Sequence, residues 1–381
     1  MSIIIPTYNE RGNVFVLADR IQRVLVGEPY ELIFVDDSTD DTPAMLAELA
    51  HQDAHVRFLH RQDERGLGTA VMRGFEMAKG SLLTVMDADL QHPPEMLPSM
   101  VRTLQTGVDL VIPSRFIPGG DDGGLDFFRK LISLTARYMA IGLLKSVRPT
   151  TDPTSGFFMF RKAVIEGVTL RPIGWKILIE ILARGRYQRV AEIPYAFHAR
   201  AAGESKMSLQ EQWNYVRHLG LLLADSPGDR RFLLFALVGI SGVAVNMLVY
   251  EGLIRLASQP VTQAGFISAL VAMCSNFLLN NRFTWVDSEP GPLGVRFAKF
   301  VATSLVGIGV CVGLLNVLYH QFGLHYRLAN LSGIAVATGW NYLINNLWTW
   351  RNKEPHVQKR SVERWSTEQV EALAERELIH T

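Results

Sequence analysis

Ser81-Leu82-Leu83-Thr84-Val85-Met86-Asp87-Ala88-Asp89 is the stretch on which the fold turns. A short apolar, β-prone run ends abruptly on two carboxylates, which is how a buried strand delivers charge to the edge of a sheet. Period-two geometry puts Asp87 and Asp89 on one side of the chain, and with Gln91 just beyond they offer hard oxygen donors to a divalent cation. The competing reading is that Asp89 caps a helix begun by Pro93 and Pro94. Working outwards, similar runs recur at 3–5, 31–35, 56–59 and 109–112 with helical patterns between them, the alternation of a parallel α/β sheet. Asn9 precedes the helical pattern 14–24, Asp40 and Asp41 precede 43–49, and Gly68 leads into 70–78. A second acidic pair, Asp36-Asp37, ends the second run, and ligands of open α/β sheets gather at the carboxyl ends of strands.

The 381 residues, 48% hydrophobic and 20% charged, suit two folded units. Lys plus Arg number 38 against 37 Asp plus Glu, which argues against a nucleic-acid binder working through a broad basic surface. Cys274 and Cys311 both lie in apolar stretches, where Cys behaves as a small hydrophobe rather than a metal ligand or disulfide partner. The chain opens directly into the strand pattern of Ser2-Ile3-Ile4-Ile5-Pro6 with no basic segment ahead of it, so a signal peptide is not expected.

The apolar residues are unevenly spread. Residues 232–256, 261–279, 300–319 and 328–350 each approach the ~20 needed to cross a hydrocarbon core, and four transmembrane helices are expected. This half repeats with an offset of 65: Arg231, Phe232, Phe235 and Gly242 recur as Arg296, Phe297, Phe300 and Gly307. Asn276, Asn280, Asn281, Thr284 and Trp285 recur as Asn341, Asn345, Asn346, Thr349 and Trp350, as in a duplicated helical hairpin. Tryptophans at the helix ends suit the membrane interface, and the asparagines suit hydrogen bonds between helices. Arg230, Arg231, Arg282, Arg296, Lys299, Arg351 and Lys353 flank one side of the spans and mainly Arg255 and Arg327 the other, so the positive-inside rule puts both termini and the first domain in the cytoplasm. Residues 127–144 and 208–224 are amphipathic, and their place before the first span favours the membrane interface over ordinary packing. In the second, Leu209, Trp213, Val216 and Leu223 form the apolar side and Arg217 and His218 the polar one. Ser366 and Gln369 are spaced as a capping box in a charged tail read as a solvated helix.

Ile4-Ile5-Pro6-Thr7-Tyr8-Asn9-Glu10, Val35-Asp36-Asp37-Ser38, Gly66-Leu67-Gly68-Thr69-Ala70 and Met86-Asp87-Ala88-Asp89-Leu90-Gln91-His92-Pro93-Pro94-Glu95 together resemble the motifs of family 2 glycosyltransferases. Asp152-Pro153-Thr154-Ser155-Gly156-Phe157-Phe158 and Gly203-Glu204-Ser205-Lys206 extend the resemblance to polyprenol (dolichol) phosphate mannose synthases, and residues 232–350 resemble the GtrA-type membrane domain fused to some of them. The resemblance implies a Rossmann-like GT-A catalytic domain over 1–207, an amphipathic interface helix and linker over 208–228, a four-helix transmembrane domain over 229–353 and a cytoplasmic tail over 354–381. It implies that Pro6, Tyr8, Glu10, Val35, Asp37, Asp87, Ala88 and Asp89 hold the nucleotide sugar, and that Asp87, Asp89 and Gln91 place Mg²⁺ or Mn²⁺ on its diphosphate. Arg115, Arg129, Ser133, Arg200 and Lys206 would gather a lipid phosphate, with Asp89 and Arg115 closest to the chemistry.

The charge logic agrees. A phosphate monoester has a second pKa near ~6, so such an acceptor arrives anionic and needs cationic positioning more than a protein base. Each basic residue also has a plain alternative: Arg115 pairing with an acid, Arg129 snorkelling at the interface, Lys206 solvated in a loop. The expected reaction is inverting transfer of mannose from GDP-mannose to polyprenyl phosphate at the cytoplasmic face of a prokaryotic plasma membrane. UDP-glucose-dependent glucosyl transfer to the same lipid and a fused glycolipid translocator are the alternatives. A processive polysaccharide synthase would need Gln-x-x-Arg-Trp, and the Arg364-Trp365 here is preceded by Ser361 at the Gln position.

Overall fold

The structure, a computed structural model, describes all residues except 122, 124–126, 198–208, 287–291, 351–359 and 379–381. It divides into two compact units, Met1–Leu223 with Gln358–Thr381, and Ala224–Val357.

The first unit is built on strands β1 (Ser2–Thr7), β2 (Glu31–Asp36), β3 (Val56–His60), β4 (Leu82–Val85), β5 (Leu110–Ser114), β6 (Phe158–Arg161), β7 (Arg189–Pro194) and β8 (Ser361–Arg364). They form one sheet in the order β3-β2-β1-β4-β6-β5-β7-β8, parallel except for β6, which runs antiparallel to both neighbours. Helices α1 (Val14–Val24), α2 (Thr42–Gln52), α3 (Leu67–Met77), α4 (Leu97–Gln105), α5 (Phe127–Leu143), α6 (Ile177–Arg184) and α7 (Leu209–Asp225) accompany it. All six residues of β1 are buried, because a sheet covered on both faces has no solvent side to alternate towards. Alternate residues still go to opposite cores. Ile4, Ile33 and Val35 join side chains of α3 and α6, whereas Ile3, Ile5 and Phe34 join those of α1 and α4. The chain leaves β1 towards β2 and β3 and returns to its other side as β4, so the acidic strand ends flank a topological switch point.

Helices α5 and α7 pack together, with the Tyr215 hydroxyl donating to the Ala136 carbonyl at 2.6 Å. Their outer faces carry Leu131, Tyr138, Trp213 and Val216, all exposed. His218, expected on the polar side of α7, is buried instead, because its Nε2 meets Glu180 of α6 at 2.7 Å and a buried carboxylate needs such a partner.

In the second unit α8 (Pro227–Arg255) and α9 (Val261–Leu279) form one hairpin, and α10 (Leu293–Asn316) and α11 (Tyr326–Ile344) the other. Among the described residues, two stretches are long and apolar enough to cross a membrane, Asp229–Arg255 and Leu293–Cys311. Ile240, Val243 and Met247 of α8 and Leu305 and Ile308 of α10 face outward, while Ser268, Asn280, Thr303 and Asn345 are buried, the reverse of a water-soluble bundle. The offset of 65 becomes a two-fold exchange. Phe235 meets Trp285 and Phe300 meets Trp350, each at 5.8 Å, and Trp285 stacks on Trp350 at 4.2 Å with their planes 3° apart. Trp285 Nε1 donates to Asn346 Oδ1 at 3.3 Å, and Trp350 Nε1 donates to Asn281 Oδ1 at 3.4 Å. Each second helix ends in a π turn, Asn280–Thr284 or Asn345–Thr349, closed by the threonine hydroxyl on the asparagine Oδ1.

The solvated reading of the tail is corrected. Strand β8 adds to β7 in parallel, and Trp365 and Val370, the latter on α12 (Thr367–Leu378), pack against the sheet core. Arg360 donates to the Leu182 and Gly185 carbonyls at the end of α6, groups that a helix C-terminus leaves open. The capping box does form: Ser366 N–H donates to Gln369 Oε1 at 2.9 Å, and Gln369 N–H to Ser366 Oγ at 3.3 Å.

Candidate active site

The ends of β1 and β2 are knitted into one platform. Thr7 Oγ1 donates to Asp36 Oδ1 at 2.7 Å, Asn9 N–H donates to Ser38 Oγ at 2.7 Å, and Thr39 N–H donates to Asn9 Oδ1 at 2.9 Å. Asn9 takes a left-handed backbone with φ of 57°, which Asn tolerates better than most side chains. Tyr8 is left exposed at the rim, and Glu10 is held by Asn13 Nδ2 at 2.7 Å. Pro6, Val35 and Ala88 are buried, so they shape the platform through backbone and packing. Asp36 is a scaffold residue, wholly buried under Thr7, Ser38 and His60. Asp37 is held by Arg61, whose Nε and Nη2 reach its two oxygens at 2.7 and 2.6 Å, and by Gly66 N–H at 2.9 Å. Those bonds use three of a carboxylate's roughly four acceptor positions.

Asp87 and Asp89 follow β4 at the same edge. Leu90, between Asp89 and Gln91, has φ of 62°, an outlier for a bulky side chain, and this bend returns Gln91 N–H to Asp89 Oδ1 at 3.2 Å. Asp89 caps no helix. The 3₁₀ turn Pro94–Met96 starts after Pro93 and α4 after Met96, neither with a side-chain cap. Asp87 is partly exposed, with His92 Nε2 at 3.3 Å and Gly156 against it. A Cβ on Gly156 would lie 2.8 Å from Asp87 Oδ2, so only glycine lets the turn approach the carboxylate.

Arg115, at the end of β5, pairs bidentately with the wholly buried Asp152: Nε to Oδ2 at 2.8 Å and Nη2 to Oδ1 at 3.1 Å. The pairing alternative for Arg115 is thus realised, and the pair fixes one edge of the guanidinium. Arg137 of α5 donates from Nε to the Thr151 carbonyl at 2.5 Å and lies 4.3 Å from the Phe116 ring. Ser133, one turn earlier on α5, is half-buried. Arg129 stands on the same helix, its side chain outside the described ones, and Arg200, Lys206 and the 203–206 motif lie outside the described residues.

Three residues of this arrangement were not assigned from sequence: Arg61, Arg137 and Lys176. Lys176 Nζ donates to the Thr154 carbonyl at 2.7 Å, and it lines a cavity with Asp87, Ser155 and Gly156. Burial first, and the Arg115 charge second, push its pKa down to about 8. The row 129, 133, 137 on α5 was a usable signal for Arg137, whereas nothing local marks Lys176 or Arg61.

Among the described residues no group of three or more His, Cys, Asp or Glu side chains gathers as a metal site. Two carboxylates and an amide at one strand end fit Mg²⁺ or Mn²⁺ better than a structural metal, because such ions keep open positions for phosphate oxygens and water.

The Glycosyl transferase family 2 profile matches residues 2–169, and the GtrA/DPMS transmembrane domain profile matches 234–350. A dolichol-phosphate mannosyltransferase of Pyrococcus furiosus is 40% identical over 353 residues, covering 92% of this chain and 99% of the relative. One from Saccharomyces cerevisiae is 39% identical over 250 residues, 61% of this chain and 91% of the relative. A solved mannosyltransferase of Pyrobaculum calidifontis, in complex with GDP-Man and Mn²⁺, superposes with a TM-score of 0.39 at 18% identity, over 92% of this chain and 87% of that one.

Proposed function

The chain belongs to the dolichol-phosphate mannosyltransferases of glycosyltransferase family 2, and on that premise we propose that it moves mannose from GDP-mannose to the phosphate of a polyprenol. It is a mannosyltransferase with a membrane domain. The observation that carries the reading is the meeting of two charge types at one sheet edge, acidic Asp87 and Asp89 after β4 and basic Arg115 after β5.

In this reading Tyr8, Glu10 and Asp37 hold the nucleoside, and Asp87, Asp89 and Gln91 are the residues that would hold Mg²⁺ or Mn²⁺. The cation, when bound, supplies charge to the leaving diphosphate. Arg115, Ser133 and Arg129, with Arg200 and Lys206, orient the acceptor phosphate. One of its oxygens attacks the anomeric carbon from the face opposite the diphosphate, the bond from that carbon to the GDP oxygen breaks, and the configuration inverts. Lys176 lines a cavity together with Asp87, which suits a positive charge at the donor's phosphates. The exposed apolar side chains of α5 and α7 would dip into the bilayer surface, where the acceptor resides. All four long helices would span the membrane with both termini in the cytoplasm.

The test supplies purified protein with labelled GDP-mannose, UDP-glucose and UDP-galactose in turn, together with polyprenyl phosphate and Mg²⁺. Label in the lipid extract from GDP-mannose alone is expected, and transfer chiefly from UDP-glucose would overturn the donor assignment.

A further inference from the structure

The tail that returns to the sheet touches the acceptor side of the site through one buried carboxylate. Glu192 is wholly buried on β7, and its Oε1 receives Thr151 N–H at 2.6 Å, Thr151 Oγ1 at 3.0 Å and Asp152 N–H at 3.3 Å. It therefore holds the backbone of the turn that carries Asp152, and Asp152 gives both its oxygens to Arg115. The other oxygen, Oε2, is buried and has no hydrogen-bond donor among the described residues. Its ion-pair partner is Arg364 of β8, with Nε at 3.5 Å.

We propose that residues 361–378 are a working part of the transferase, with Arg364 and Glu192 as positioning residues that hold the Asp152–Arg115 pair where the acceptor phosphate binds. This rests on the acceptor role given to Arg115 above.

The strand that delivers Arg364 is polar, Ser361-Val362-Glu363-Arg364, and gains little from its own β propensity. It is held from both ends, by Arg360 on the end of α6 and by Trp365 in the core, with Trp365 N–H on the Glu192 carbonyl at 2.9 Å. Register then places Arg364 opposite Glu192. Arg364 also donates from Nη2 to the Pro149 carbonyl at 3.2 Å, so it grips the approach to the same turn that Glu192 grips at Thr151. The turn is fastened from its other side by Arg137 on the Thr151 carbonyl and by Ser114 Oγ, 2.6 Å from Thr151 Oγ1.

Among the described residues, the charged group that faces Glu192 is Arg364 from β8; the turn that Glu192 holds carries Asp152, paired with Arg115 of the β5 end, and receives Arg137 of α5 at the Thr151 carbonyl. On β5 its register partner is Ile112, which carries no charge. Burial raises the Glu192 pKa; the hydrogen bonds from Thr151 and Asp152 oppose that rise, and the Arg364 charge adds a smaller pull in the same direction. Losing Arg364 favours the neutral acid, which grips the turn's N–H groups less firmly than the carboxylate does.

The test uses the full chain and steady-state kinetics against polyprenyl phosphate and GDP-mannose across pH. Arg364→Ala should raise the acceptor KM roughly three- to tenfold. The donor KM should stay unchanged, and the acidic limb of kcat/KM for the acceptor should move to higher pH. Arg364→Lys should restore most of the loss. Glu192→Gln, whose amide does not titrate, should show the acceptor defect at all pH values, with Arg364→Ala adding nothing further. Arg115→Gln separates the two readings. If it leaves the acceptor KM unchanged, the acceptor role of Arg115 falls and the relay with it. If it raises the acceptor KM while Arg364→Ala does not, the relay alone is overturned. A lower melting temperature in Arg364→Ala with unaltered kinetics also overturns it.

Discussion

The two units bury polarity in opposite ways. Around the candidate site, ions are taken out of water in pairs: Arg61 with Asp37 and Arg115 with Asp152. Among the described residues of the membrane unit the buried polar groups are mostly neutral amides and hydroxyls, such as Asn280 with Thr284 and Asn345 with Thr349. The exception is Asp229 at the start of α8, which accepts from Ser226 Oγ at 2.8 Å. Charge pairs fix direction, which suits a site that must orient two anionic substrates. Neutral amides suit lipid surroundings, where an unpaired ion costs far more than an amide. The comparison predicts that the first unit fails by stranding charges and the second by overlap of volume.

The largest stability effect belongs to Asp152→Ala. It leaves the Arg115 guanidinium buried without its bidentate partner, and about 3–5 kcal/mol of stability should be lost. Chemical denaturation followed by tryptophan fluorescence would read this, and a loss under about 1 kcal/mol would mean that water reaches Arg115 freely.

Asp89→Ala should cost activity instead of stability. Transfer should fall at least about a hundredfold, the size of losing one preorganised electrostatic contact in a transition state, while the melting temperature holds. Chelation should inactivate the wild type, and Mg²⁺ or Mn²⁺ should restore it. A folded Asp89→Ala enzyme with near-normal turnover would remove the cation from this strand end.

In the membrane unit, a Cβ on Gly242 would overlap the Asn276 amide, and one on Gly307 would overlap that of Asn341. Gly242→Val and Gly307→Val should each cost about 1–3 kcal/mol in detergent unfolding and leave the donor KM unchanged. Because the two contacts are copies, the costs should match. A large inequality would mean that the duplication no longer sets the packing.

Lys176 tests the charged side of the comparison by pH. Its ammonium is held to a pKa of about 8 against the usual 10.5, so it is charged below about 8 and neutral above. If that charge serves the donor's phosphates, the donor KM rises as pH passes 8, by up to about tenfold per unit of further rise. Stability moves the other way. Between 8 and 10.5 the unfolded chain binds more protons than the folded one, so unfolding free energy from this residue increases with pH. Lys176→Met should flatten both trends, and a donor KM that still climbs above pH 8 in that variant would assign the titration elsewhere.

Much of this fold is legible in the chain because β1, β2 and β4 are continuous apolar runs that end on acids. Strands β7 and β8 are not legible, for a physical reason. Arg189-Val190-Ala191-Glu192-Ile193-Pro194 hides a buried glutamate whose partners lie about 40 residues back, at Thr151 and Asp152, and far ahead, at Arg364. Arg61 likewise takes its bidentate carboxylate partner, Asp37, from 24 residues away. Asp87 and Asp89 announce themselves through local spacing, whereas residues whose role comes from a distant partner do not. The duplication at offset 65 was plain in the sequence, but the cross-over of each tryptophan to the other hairpin's asparagine was not, since either hairpin read alone satisfies the pattern.

The smallest expected effect is the most direct test of that cross-over. Trp285 and Trp350 stack face to face at 4.2 Å, and each indole N–H reaches the asparagine of the opposite hairpin. Replacing either tryptophan by Phe keeps most of the apolar area, weakens the stack and removes one hydrogen bond. The loss should be about 0.5–1.5 kcal/mol, equal for Trp285→Phe and Trp350→Phe. The double variant should lose less than the sum, because the first substitution has already weakened the stack that the second would disturb. Unfolding in detergent of the two single variants and the double one closes the cycle. Full additivity would mean that each indole acts independently through its own asparagine, and the face-to-face stack would then carry no energetic coupling between the two tryptophans.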